Sequence, residues 1–101
     1  MDTEILKQIL LEEMQKYSGK GLNDYAYLTS NESDQIYTVV DIATIRDKRI
    51  VSTVLIVRIV VGQQVVVEVD HHDKQLVDAL LARDVPEEQI ILAYRGDAVS
   101  A

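Results

Sequence analysis

Two adjacent histidines held between aspartates, in the stretch VEVDHHDKQ from Val67 to Gln75, are the residues of this chain best equipped for chemistry. Imidazole and carboxylate together ligate zinc or manganese, and a strand ending in Asp-His-His would suit a small metal-dependent phosphoesterase. The spacing speaks against that reading. Neighbouring side chains of an extended backbone point to opposite sides, so His71 and His72 can hardly share one ion. A hydrolytic site would also need carboxylates from other strand ends, and Asp34, Asp41 and Asp47 follow no such motif. A strand-to-helix turn accounts for every residue: Asp70 ends the strand, His71 and His72 form the bend, and Asp73 caps the helix that follows. The chain has no cysteine nucleophile, no Ser-His pairing at suggestive spacing and no glycine-rich phosphate loop. Catalytic, metal-binding and cofactor-binding residues are therefore expected to be absent.

The elements that must position this turn are legible on both sides of it. TEILKQILLEEMQKY, starting at Thr3, brings Leu6, Ile9, Leu10, Met14 and Tyr17 onto one face of a helix. Asp2 or Thr3 can cap it, and Gly19 or Gly21 can end it. The polar segment from Ser18 to Asp34 reads as a loop, with a short strand around Tyr25 to Leu28. QIYTVVDIA alternates as a strand, with Tyr37, Val39 and Asp41 facing away from Ile36, Thr38, Val40 and Ile42. RIVSTVLIVRIVV and QVVVEV follow, joined at Gly62-Gln63, where a two-residue type II′ turn would set the register. That register places Val57, Ile59 and Val61 opposite Glu68, Val66 and Gln64. KQLVDALLARDV is the second helix, with Leu76, Val77, Leu80 and Leu81 as its buried stripe. Asp84 stands at its end, where glycine would be easier. Pro86 opens a short turn, and IILAY, Ile90 to Tyr94, is the last strand. The fold class expected is α+β: one domain over residues 1–101, an antiparallel sheet of about four strands, an N-terminal helix, and a second helix between the third and last strands.

The strand from Ile50 to Val61 is apolar on both faces, whereas a sheet with one wet face alternates cleanly. Two short helices can cover one face. The other calls for the Ser18 to Asp34 segment or a second chain, and Val57, Ile59 and Val66 are the expected interface, either in a homodimer or with a partner protein.

Composition narrows the function classes. Hydrophobic residues make up 48% of the 101, without Phe, Trp or Cys, so Val, Ile and Leu must build the core. A chain without cysteine fits a reducing, cytoplasmic setting. Asp2 and Glu4 stand where a secretory signal carries basic residues, and the longest apolar run is too short to cross a bilayer as a helix. The formal net charge is −7. Nucleic acid and anionic lipid are repelled by such a chain unless its ten Lys and Arg residues gather on one face. Only RDKR, Arg46 to Arg49, is clustered, and it reads as a solvated loop. Neither direct nucleic-acid binding nor membrane association is expected.

With these elements placed, the C-terminal half resembles the XisI family, the fdxN-element excision controlling factors of cyanobacteria. The resemblance rests on VVGQQVVVEVD, KQLVDALLARD, VPEEQ and IILAY, and on the N-terminal helix ILKQILLEEMQKY. The chain is a divergent member. The family's Trp in the third strand is Val66 here, a Gly-Trp pair near Ala43 to Arg46 is missing, Gly-Thr after Asp70 is His71-His72, and the Gly before Val-Pro is Asp84. The resemblance implies a non-enzymatic accessory protein in programmed excision of a DNA element, acting beside a recombinase through a XisH-like, nuclease-fold partner. The alternative expectation is an antitoxin-like role, in which this acidic domain occupies the basic DNA-binding surface of that partner.

Overall fold

The computed structural model describes residues 1–61 and 63–99. Helix α1 (Thr3–Gln15) starts where Asp2 Oδ1 accepts hydrogen bonds from the amides of Glu4 and Ile5 at 2.9 and 3.1 Å. Asp2 is thus the expected N-cap. The helix ends at Lys16 in ordinary right-handed backbone, and neither glycine terminates it.

The strands are β1 (Gly19–Lys20), β2 (Asp24–Asn31), β3 (Ile36–Ile45), β4 (Lys48–Val60), β5 (Gln64–Asp70) and β6 (Ile90–Leu92), with helix α2 (Leu76–Ala82) between the last two. They form one six-stranded sheet in chain order. Two expectations are corrected here. The sheet has six strands because the polar segment from Ser18 to Asp34 contributes β1 and the whole of β2. It is mixed because β6 lies parallel to β5. A parallel neighbour requires a crossover, which α2 and the 3₁₀ turn Glu87–Gln89 supply.

Local chemistry explains the turns. Arg46 and Asp47 both adopt positive φ, 51° and 66°, and join Ile45 to Lys48 in a tight two-residue hairpin. RDKR is therefore the tip of the β3–β4 arm, in a molecule 45 Å long and about half as wide. After α2, Asp84 takes φ 63°, the Asp84 amide donates to Leu81 O, and the Val85 amide donates to Leu80 O. This is a Schellman ending, with Asp in the left-handed place glycine usually fills and buried Val85 closing it.

The register between β4 and β5 differs from expectation by one residue near the turn. Val60 pairs with Gln64 and Ile59 with Val65, which leaves three connecting residues where two were expected. Gly62, and with it the assignment of turn type, lies outside the described residues. A bulge at Glu68 then restores the expected pairing of Ile56 with Val69. A second bulge, at Val54 of β4, offsets the β3–β4 ladder.

Both helices pack on one face of the sheet. Leu6, Ile9, Leu10 and Met14 of α1 and Leu76 and Leu80 of α2 meet Tyr37, Val39, Leu55, Val57, Ile59, Val65 and Val67 in a single hydrophobic cluster. Val57 and Ile59, expected at an interface, are interior, at 0% and 4% exposed. Val66 does not share their face. It pairs with Arg58 and Ile91 on the opposite one, and it too is buried.

Candidate functional site

The β5–α2 turn is where the sequence concentrates its titratable groups. Asp70 ends β5 as expected, with its carboxylate turned inward. Oδ1 accepts from the His72 amide at 3.1 Å, and Oδ2 accepts from the Leu76 amide at 2.8 Å. Leu76 is the first residue of α2, so Asp70 performs the capping expected of Asp73. Gln75 occupies the cap position itself, with no side-chain capping bond, and Asp73 is exposed. The loop's path decides it: the inward-turned Asp70 carboxylate lies against the first amide of α2, whereas the Asp73 side chain, nearer in sequence, is exposed.

The histidines are fixed by the same loop. The His71 amide donates to Val54 O at 2.9 Å, the carbonyl of the residue bulged out of β4. His72 Nδ1 accepts from the Lys74 amide at 3.2 Å, and its ring stands edge-on to Tyr17, with centroids 4.6 Å apart. The Tyr17 hydroxyl donates to Lys74 O at 2.6 Å. Burial first, then the carboxylates of Asp70, Glu13 and Asp78, push the Tyr17 phenol up to about 12, so it stays a donor. Among the described residues no three His, Asp or Glu side chains come together as a metal ligand set.

Around this turn opens a cleft of about 570 Å³ between the end of α1 and the start of α2, lined by Glu13, Lys16, Tyr17, His72, Lys74 and Asp78 among others. Glu13 forms its floor, with a side chain 6% exposed. Burial pushes its carboxyl up, but hydrogen bonds from Lys16 and Arg83 outweigh that and hold it below the usual carboxylate range. Arg83 spans to both Glu12 and Glu13, at 2.8 and 2.7 Å, and ties α2 to α1. The cleft is a clasp between two helices and a strand. Its groups with distinctive chemistry are spent on holding the turn.

A second titratable group sits away from the helices. Asp41 and Asp24 lie on the helix-bearing side of the sheet, near the outer end of the β2–β3 ladder. A hydrogen bond shared with Asp24, then burial and the Asp24 charge, raise the Asp41 carboxyl above the usual range. One of its oxygens, Oδ1, is buried without a protein partner. A carboxyl raised on folding stabilises the fold fully at pH below its unfolded value, and that contribution is lost as pH rises through the folded value. Asp41→Asn is therefore expected to raise the melting temperature by a few degrees at pH 7 and to leave it unchanged near pH 3.5. Equal effects at both pH values would contradict the shared proton. A Cβ at nearby Gly21 would overlap the Asp24 carboxylate, which would have to move aside.

A second apolar face of the sheet was expected, but its residues are not Val57, Ile59 and Val66. Tyr25 pairs with Ile42 and Ile42 with Val51; Tyr27 pairs with Val40 and Val40 with Thr53; Thr29 pairs with Thr38 and Thr38 with Ile56. These rows face away from both helices. The signal was the alternation Asp24-Tyr25-Ala26-Tyr27-Leu28, which the polar residues around it obscured.

The family model described as XisI protein matches residues 2–100. The chain belongs to the XisI family. Among curated proteins no match is found. The fold of this XisI-family chain is similar to two crystal structures from Anabaena variabilis. With a XisI-like protein the TM-score is 0.68 at 19% identity, covering 89% of this chain and 81% of that one. With the fdxN element excision controlling factor XisI it is 0.70 at 22% identity, covering 92% and 93%. Among the described residues no helix is long and apolar enough to cross a membrane.

Proposed function

We propose that this XisI-family chain is an accessory factor in programmed excision of a DNA element. It would act by contact with a XisH-like, nuclease-fold protein and not by gripping DNA itself. The observation that carries the reading is the family match over residues 2–100, together with the description of a solved relative as an excision controlling factor. Charge supports the indirect route. Of the ten Lys and Arg residues, Lys7, Lys16, Arg58 and Arg83 are held in ion pairs with Glu32, Glu13, Glu68 and the Glu12–Glu13 pair, in a chain of net charge −7.

Co-expression with a XisH-like protein, followed by tandem purification, tests the contact, and an excision reporter with and without this chain tests the outcome. A stable pair and excision that depends on this chain are expected. The protein alone should not retard DNA at low micromolar concentration in ~0.15 M salt, where even non-specific binders are weak. Tight, salt-sensitive retardation by this chain alone, or excision that proceeds equally without it, would refute the proposal. The same acidity favours one variant of the contact, in which this chain covers a basic DNA-binding surface of the nuclease as an antitoxin does. Growth arrest by the partner alone, relieved by this chain, distinguishes that variant.

A further inference from the structure

The six-stranded sheet has two faces, and α1 and α2 both lie on one of them. The opposite face is built from the rows Tyr25–Ile42–Val51, Tyr27–Val40–Thr53 and Thr29–Thr38–Ile56; Val66 lies on the same side but is fully buried, so the bare surface ends before it. Tyr25, Tyr27 and Val51 are 45%, 47% and 64% exposed, and Val40, Ile42, Ile56 and Val60 are only half-buried. A contiguous apolar surface of this kind marks an interaction site. We propose that it is covered by a second copy of this chain, the two sheets packing face to face about a two-fold axis.

Charge is the first reason for choosing a second copy. The chain carries 17 carboxylates and a net charge of −7, so most of its surface repels its own kind. Of those carboxylates, only Glu68 projects from the strands onto this face, and it is neutralised by Arg58 at 2.7 Å. Lys20, beside Tyr25, and Arg49, beside Thr44, are the other charges this face carries, so two copies can meet here with no carboxylates opposed and with these two cations at the rim. A heterologous partner steered by electrostatics would need a charged face instead.

Area is the second reason. The folded chain exposes 6327 Å², above the roughly 5,800 Å² expected of a monomer of its 11.4 kDa mass. Strand spacing and rise give the bare face a projected area of about 500 Å². Side-chain relief brings this toward the roughly 800 Å² per partner of a standard stable interface. An aligned sandwich of two sheets, ~10 Å apart, is the ordinary solution for two such faces. The dimer stands or falls independently of the excision partner.

The test is sedimentation equilibrium of the full chain from about 1 to 200 µM, with circular dichroism as the folding control. The wild type is expected to sediment at twice the 11.4 kDa chain mass. Tyr27→Glu and Val51→Lys place charges on the bare face without touching the core. Each is expected to weaken association at least tenfold while the spectrum is kept. Val61→Lys and Leu81→Lys, at exposed apolar positions outside these rows, should leave it unchanged. A chain that stays monomeric at about 200 µM would overturn the proposal, as would a dimer indifferent to Tyr27→Glu and Val51→Lys. A dimer broken only by Thr29→Pro would assign the contact to the open edge of β2 and overturn the face-to-face arrangement.

Discussion

Ile59→Asp is expected to leave the chain largely unfolded at room temperature, with loss of cooperative melting by circular dichroism. Ile59 is 4% exposed and belongs to the cluster that joins α1, α2 and the sheet. A carboxylate there finds no cation among its apolar neighbours. Burying an unpaired charge costs about 3–5 kcal/mol, and losing a core side chain costs about 2–5 kcal/mol more. A domain of this size has about 5–15 kcal/mol in total. Val57→Asp should behave alike, because Val57 is fully buried in the same cluster. If the side chains of β4 pointed the other way, Ile59→Asp would melt normally and change only association. That outcome would reverse the assignment of the sheet's two faces.

This experiment bears on what could be read from the sequence. The position of β3 follows from period-two alternation, those of β4 and β5 from apolar runs on either side of Gly62-Gln63, and that of α1 from its three- and four-residue spacing. Which face of β4 turns inward does not follow. Val54 to Val60 is apolar on both sides apart from Arg58, so hydrophobicity alone cannot orient it. The pairing with β5 turns on a single residue in the connection. One residue more than a two-residue loop moves Val66 off the face of Ile59 and puts Val65 there instead. The bulges at Val54 and Glu68 leave no mark in the pattern. β2 was legible only in its middle, Tyr25 to Leu28, for a different reason: its face away from the core carries Tyr25, Tyr27 and Thr29, and Ser30 and Asn31 follow, so the rest of a half-exposed strand reads as a loop. The parallel placement of β6 was equally concealed, because three apolar residues pair as readily in either direction.

At the turn, the helix cap is not the residue expected. Asp70, His71, His72 and Asp73 do form the connection from strand to helix, and the expected cap was Asp73. In the fold the helix amide is reached from six residues upstream, by Asp70. Such a bond depends on the loop's path, which sequence spacing does not encode. The signal available was the chemistry of the position: a carboxylate closing a strand of valines is costly to bury unless amides meet it.

Asp70→Ala should therefore be the most damaging change in the turn. It removes both acceptors and leaves the Leu76 amide, whose bond to Asp70 is buried, without a partner. An unsatisfied buried donor costs about 1–3 kcal/mol, and a lost helix cap about 1–2 kcal/mol as an overlapping part of the same effect. At this chain length that corresponds to a fall in melting temperature of roughly 10 °C. Asp70→Asn keeps one acceptor oxygen and should recover part of the loss. Asp73→Ala should be nearly silent, since its side chain caps nothing. His71→Gly combined with His72→Thr should cost only a few degrees, because it removes the edge-on contact with Tyr17 and the acceptor for the Lys74 amide while leaving the Asp70 bonds in place. The order of the variants matters more than any one value. If Asp73→Ala proves as harmful as Asp70→Ala, the cap lies where the sequence first suggested. If the double histidine variant proves the worst of the set, the imidazoles carry a function that a turn does not explain.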